Sequence, residues 1–201
     1  MKRRINWFGL AAGIITLTVV IVSFYIPWWQ LTVGDKLLQI NASPINTNFG
    51  LLDLQFTVPL IWAWNLATIL LLVSAGVIML IYSVFPTKSY AKELLGFSYK
   101  KPLYALIGFI AGLFVIISIS GLIGFSIPLM GSSTFTVPTQ FIPLGLTINA
   151  LVSGSFQLPF WLAIVAASLC IVARLCHGKV TKIAEVAPAA PISPIETQVV
   201  S

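Results

Sequence analysis

Charge is scarce in this chain of 201 residues: Asp, Glu, Lys and Arg together make up 8% of it, with five acidic residues and one histidine. Soluble domains carry about 25% charged residues, so a soluble globular enzyme is excluded. Most catalytic or metal-binding constellations also lack the groups to form them. Cysteine is nearly absent. Cys170 and Cys176 both fall near the end of the last apolar run, where neither can staple an outer loop, so no disulfide is expected. Adjacent Cys176 and His177, with Cys170 nearly two turns away, do not make a tetrahedral metal set. A single histidine excludes a haem held by two imidazoles, and no cofactor is expected. There is no glycine-rich phosphate loop and no nucleophile triad, and Asp35 and Asp53 are too isolated for general acid–base work. The expectation is a non-enzymatic protein.

What the chain has instead is hydrophobicity: 58% apolar residues and a mean hydropathy of +1.01. A helix of about 20 apolar residues crosses a bilayer core, and four runs qualify, at about 5–29, 58–85, 103–129 and 158–175. Pro59, Pro102 and Pro159 fall where a first helical turn needs no backbone donor, and Pro27, Pro86 and Pro128 lie near the exits. Lys2-Arg3-Arg4 before the first run is similar to a secretory leader. Its apolar stretch is longer than a leader's usual 7–15 residues, and no small-residue cleavage site precedes Pro27, so it reads as an uncleaved span.

Ten of the eleven Lys and Arg flank the spans on one side, at positions 2–4, 88, 92, 100, 101, 174, 179 and 182; the other side has Lys36 alone. Cytoplasmic loops carry the excess of basic residues, so both termini are expected inside a cell or plasma membrane. Outer loops then fall at about 30–57 and 130–157. Without a long basic stripe interleaved with aromatics, the positive charge reads as topology and headgroup attraction, and no nucleic acid is expected as a partner. Trp7, Tyr25, Trp28, Trp29, Trp62, Trp64 and Trp161 read as interfacial anchors.

The outer loops read as strands. Leu31–Val33 and Lys36–Ile40 flank a Gly34-Asp35 turn, and Leu52, Leu54, Phe56 and Val58 alternate with polar residues on one face. Thr134–Val137 and Leu144–Ile148 are weaker candidates, restricted by Pro138 and Pro143. The expected fold is an all-α integral membrane protein, a four-transmembrane-helix bundle (residues 1–176) under a small extracytoplasmic β-rich cap of three to five strands. Residues 177–201, rich in proline toward the end, are expected to be a disordered cytoplasmic tail. Four spans, inside termini, a stranded first loop, tryptophan at the exit of span one and Gly50-Leu51-Leu52 together resemble the claudin-like tetraspan superfamily in topology. That family's Gly-Leu-Trp and cysteine pair have no counterpart here, so adhesion or barrier function follows only as a candidate.

Small residues four apart let membrane helices approach closely. They occur at Gly9 and Gly13, Gly108 and Gly112, Ser120 and Gly124, and Ala163 and Ala167. Asn65 is the polar side chain at membrane depth that cannot simply bond to its own helix; it reads as an interhelical contact or as part of a polar vestibule. Asn41-Ala42-Ser43 is a candidate glycosylation sequon, weakened by Pro44. With no ionisable residue inside the spans and no inverted repeat, an ion-coupled carrier is disfavoured. The leading expectation is a structural, scaffolding or accessory subunit, partnered by the lipid bilayer and by other membrane subunits or itself. The alternative is a channel or carrier component for a neutral or lipidic solute, ahead of a redox-complex subunit sharing a quinone site.

Overall fold

Asn6 opens the first helix by accepting from the Gly9 amide (3.1 Å) while its own amide group donates to the Tyr82 hydroxyl (2.8 Å). A capping side chain that satisfies a free helix N–H thus also ties the start of this helix to the end of another. The computed structural model describes residues 5–34, 37–51, 54–122, 127–136 and 149–185. In chain order they form α1 (Trp7–Ser23), β1 (Trp29–Val33), β2 (Leu38–Ala42), β3 (Asn48–Leu51), β4 (Leu54–Phe56), α2 (Pro59–Val84), α3 (Ala91–Ser98), α4 (Lys100–Leu122), β5 (Gly131–Thr136), β6 (Asn149–Phe156) and α5 (Leu158–Glu185).

Three helical stretches are long and apolar enough to cross a membrane: Pro59–Val84, Ala91–Leu122 (α3 and α4 end to end) and Leu158–Gly178. The protein is therefore a membrane helical protein with a β region. α1 differs from the span expected at 5–29: it has 17 residues, or about 26 Å at 1.5 Å per residue, a little short of a core of about 30 Å. The chain then turns through residues 24–28 toward the sheet.

α1 lies against both α2 and α5. Gly13 and Gly76 mark its crossing with α2: a Cβ on Gly13 would sit 3.1 Å from the Gly76 carbonyl oxygen and 2.7 Å from Leu80. A Cβ on Gly76 would meet Leu17 at 2.8 Å. Along α5, Ala163, Ala166, Ala167, Cys170 and Ala173 are buried. Their small side chains admit Val19 and Trp28 at one end of the bundle, and Ala12, Met79 and Tyr82 at the other.

The strands form one six-stranded antiparallel sheet in the order β4-β3-β2-β1-β6-β5. Its period-two alternation puts Trp29, Leu31 and Val152 on the face that packs on Leu113 of α4. The other face pairs Thr32 with Ser153 (2.6 Å) and Asn41 with Asn48 (2.8 Å). The sheet has six strands where three to five were expected, and it departs from expectation in two further ways. β1 pairs Val33 with Leu38, so the connection is longer than the two-residue turn expected, and Gly34 at φ +59° supplies a left-handed position at its start. β3 and β6 are strands that the sequence pattern did not announce. The expected strand at Leu144–Ile148 lies outside the described residues, as do Asp35, Lys36, Leu52 and Asp53.

Trp28 and Trp29 were expected at the membrane surface, yet both are buried. Each indole N–H has found an acceptor inside: Trp28 donates to the Ser23 hydroxyl and Trp29 to the Leu129 carbonyl, both at 2.8 Å. Buried indoles need such partners; here Trp28 ties the start of the sheet to the end of α1, and Trp29 ties β1 to the segment leading into β5. Tyr25, Trp7, Trp62, Trp64 and Trp161 are exposed. α5 runs to Glu185; residues 186–201, in the expected tail, lie outside the described residues.

Candidate lateral cavity

α2 and α4 do not close on each other near the sheet. Between them lies a cavity of about 720 Å³, within the range of roughly 300–1,000 Å³ of small-molecule sites. Small residues make room in its walls, Ala63 and Ala67 on α2 and Ala105, Gly108 and Gly112 on α4, among larger apolar side chains such as Ile61 and Phe109. A Cβ built on Gly108 or Gly112 would have no neighbour within 4 Å. The pair therefore does the opposite of Gly9 and Gly13. On α1 the glycines admit another helix, with a Cβ on Gly9 falling 2.6 Å from the Ser83 hydroxyl; on α4 they leave space empty.

The turn between β2 and β3 roofs the cavity, contributing Ala42, Ser43, Pro44 and Thr47. Its own side chains hold it: the Ser43 amide donates to the Thr47 hydroxyl, the Thr47 hydroxyl to the Ser43 carbonyl and the Ile45 amide to the Ser43 hydroxyl. Asn46 ties it to the Phe24 carbonyl at 3.1 Å, and Ile45 plugs it between Val20 and Leu72. Leu60, Trp64, Tyr104 and Ile116 are exposed at the mouth, whereas Leu113 and Asn65 are buried at depth.

Asn65 is 6% exposed, and its side-chain carbonyl oxygen has no hydrogen-bond partner. Leaving a buried acceptor unmade costs about 1–3 kcal/mol. The residue sits six positions into α2, about 9 Å along the helix. Among the described residues no charged side chain lines the cavity.

The other residues singled out from the sequence lie elsewhere. Ala163 and Ala167 pack in the core around Trp28, Leu106 and Phe160. The Ser120 hydroxyl donates to the Ile117 carbonyl within its own helix, and Gly124 lies outside the described residues. Asn41 is on β2, its amide group donating to Asn48, and Ser43 of its sequon is buried. At the opposite end of the bundle His177 meets the Tyr82 hydroxyl at 3.0 Å, and both cysteines are free thiols. Among the described residues no cluster of three His, Cys, Asp or Glu could hold a metal ion.

The fold and the cavity define a class: a helical membrane protein with an antiparallel sheet on one end of its bundle and a pocket open between two of its apolar helices. Compared with known proteins, the chain matches no family model and no curated sequence. Asn65 carried a signal in the sequence as a polar residue in an apolar run. The walls and roof carried none, because a small-residue spacing looks the same whether a helix or empty space lies beside it.

Proposed function

We propose that the protein is a non-enzymatic carrier or handling component for a neutral or lipidic solute, taken up laterally between α2 and α4. The observation that carries this reading is the apolar cavity of about 720 Å³ that opens between α2 and α4. We further infer four spans in a cell membrane, with α1 as the fourth, both termini cytoplasmic and the sheet outside. Lys88, Lys92, Lys100, Lys101 and Arg174 support that orientation, since they lie toward the helix ends away from the sheet. The test is extraction of the protein in mild detergent and mass spectrometry of the lipids it retains. A neutral lipid retained near one per chain, and lost when Gly112 is replaced by leucine, is expected. An unchanged lipid complement in that variant would refute the reading.

A second reading is a structural, scaffolding or accessory subunit of a membrane complex. α4 favours it: 11% of its apolar window is buried within the chain, against 39% for α2 and for α5. Helices associate in lipid through packing rather than hydrophobic burial, and α4 has the most surface left for a partner to pack on. A stoichiometric protein co-purifying from native membrane, cross-linked to α4, is the result this reading requires.

A further inference from the structure

At the end of the bundle away from the sheet, the chain holds cations without counter-charges. Between residues 86 and 178 these are Lys88, Lys92, Lys100, Lys101 and Arg174, against the single carboxylate of Glu93. Among the described residues Glu93 forms no ion pair with any of them. Arg174 stands out. It is half-buried on α5, yet no N–H of its guanidinium reaches an acceptor among the described residues. A charged side chain taken out of water is ordinarily paired.

What Arg174 does meet is a ring: its Cζ lies 5.6 Å from the centroid of Tyr99, at the junction of α3 and α4. Tyr99 packs against the cluster that contains Met79, Leu95 and Cys170, which holds the ring in place. The Lys100 ammonium lies 6.0 Å from the same ring, and the Lys101 ammonium 5.0 Å from that of Phe97. Aromatic faces attract cations, but they carry no net charge. Arg174 and Lys100 thus come from two helices to one ring with their mutual repulsion unanswered, and an anion beside them answers it.

The surroundings decide which anion. Ile171 and Leu175 lie one turn apart on α5, on either side of Arg174 in sequence, and both are exposed. Ile107, two turns from Lys100 on the same side of α4, is exposed as well. The cations therefore sit at the edge of an apolar surface, along which hydrocarbon chains lie while a phosphate reaches the guanidinium and the ammonium. Guanidinium pairs with phosphate through two parallel hydrogen bonds, and basic pockets between membrane helices hold acidic headgroups. A zwitterionic headgroup would bring its own ammonium against Lys100 and Lys101, so the fit is to a lipid of net negative charge.

We propose that Arg174 and Lys100, set on the Tyr99 ring, form a site for the phosphate of an anionic phospholipid. The cavity lining includes none of these three residues, and the site stands whether or not the cavity takes a lipid.

The test titrates the full chain, in dodecyl maltoside and phosphate-free buffer, with phosphatidylglycerol or with phosphatidylcholine of the same acyl chains. Bound lipids are counted by native mass spectrometry. The first phosphatidylglycerol should bind about fivefold more tightly than phosphatidylcholine, the factor one basic residue contributes near an anionic surface. Arg174→Gln should erase most of that preference, and Arg174→Lys, which keeps the charge without the planar fork, should restore part of it. Lys88→Gln removes the same charge at the other end of α3 and should leave the preference in place. Equal losses in the Lys88 and Arg174 variants would mean diffuse attraction to a basic surface and overturn the site. Equal binding of the two lipids to the unmodified chain would overturn it too, and that comparison decides even where a variant fails to fold. In a separate arm inorganic phosphate, as its ammonium salt, replaces the lipid, and no adduct is expected. A phosphate adduct as abundant as that of phosphatidylglycerol at equal concentration would give the site to a soluble anion and overturn the lipid assignment.

Discussion

Two glycines in the same sequence pattern should respond in opposite ways to the same substitution. At Gly13 a Cβ would fall 2.7 Å from Leu80 Cδ2, 2.9 Å from Leu80 Cγ and 3.1 Å from the Gly76 carbonyl. The Leu80 side chain can rotate, but the Gly76 carbonyl belongs to helix backbone, and valine adds two further methyl groups beyond the Cβ. Overpacking costs typically about 1–3 kcal/mol, while replacing glycine within a helix returns only a few tenths for a β-branched residue. Gly13→Val should therefore lose about 1–2.5 kcal/mol. At roughly 2–4 °C per kcal/mol for a chain of this size, the midpoint of thermal unfolding should fall by about 2–10 °C. At Gly112 nothing lies within 4 Å of the added Cβ, and Gly112→Val should leave the midpoint within about 2 °C, given the same small propensity gain. Tryptophan fluorescence during heating in dodecyl maltoside measures both, since Trp28 and Trp29 are buried where the sheet meets the bundle. Equal loss in the two variants would refute the assignment of close packing to α1 and α2 and of open space to α4.

Asn6→Leu removes a helix cap worth about 1 kcal/mol and the bond to Tyr82, worth about 0.6–1.7 kcal/mol between membrane helices. Its unfolding midpoint should drop by about 4–10 °C at the same conversion. Trp29→Phe removes three buried ring atoms and the bond to the Leu129 carbonyl, and should cost about 2–3 kcal/mol in the same assay. Gly154→Ala should lower the yield of folded protein, because its Cβ would overlap the Pro128 carbonyl; a yield equal to that of the unmodified chain counts against β6 packing on that segment. For orientation, a variant with both cysteines replaced by alanine should react with an impermeant maleimide from outside intact cells at Ser133→Cys. At Glu93→Cys it should react only after permeabilisation, and the reverse pattern would invert the proposed topology.

The apolar helices were readable because a run such as Leu60–Ile81 holds one polar amide and no charge, and little but a membrane helix tolerates that. β1 and β2 were readable because Gly34 separates two runs of strand-forming residues. β3 was not: Asn48-Phe49-Gly50-Leu51 contains a glycine and an asparagine, poor strand formers, and is recruited by pairing Phe49 with Ile40 and with Phe56. β6, with Ser153-Gly154-Ser155 at its centre, has the same weakness. It exists because β1 lies on one side and β5 on the other. Trp28 and Trp29 were misplaced at the surface because indoles suit both a headgroup layer and a core that offers an acceptor. The Ser23 hydroxyl and the Leu129 carbonyl became those acceptors only through tertiary folding. The cavity was beyond reach for a similar reason: its volume is set by the separation of α2 and α4, which no local spacing encodes.

The pairing of β1 with β6 also bears on how the chain is made. β1 follows directly after α1, and β6 runs into α5 through Gln157, whose amide donates to the Trp28 carbonyl at 2.9 Å. During synthesis from the N-terminus, β1 through β4 emerge before α2 and can pair as successive hairpins. The edge of β1 that later receives β6 then stays open while α2, α3 and α4 are synthesised and inserted. Long-range strand pairing is slow to form, and an open edge is a site for wrong pairing. A ribosome stalled before Asn149 therefore holds a nascent chain whose four-stranded half-sheet is ready to accept a strand from another polypeptide.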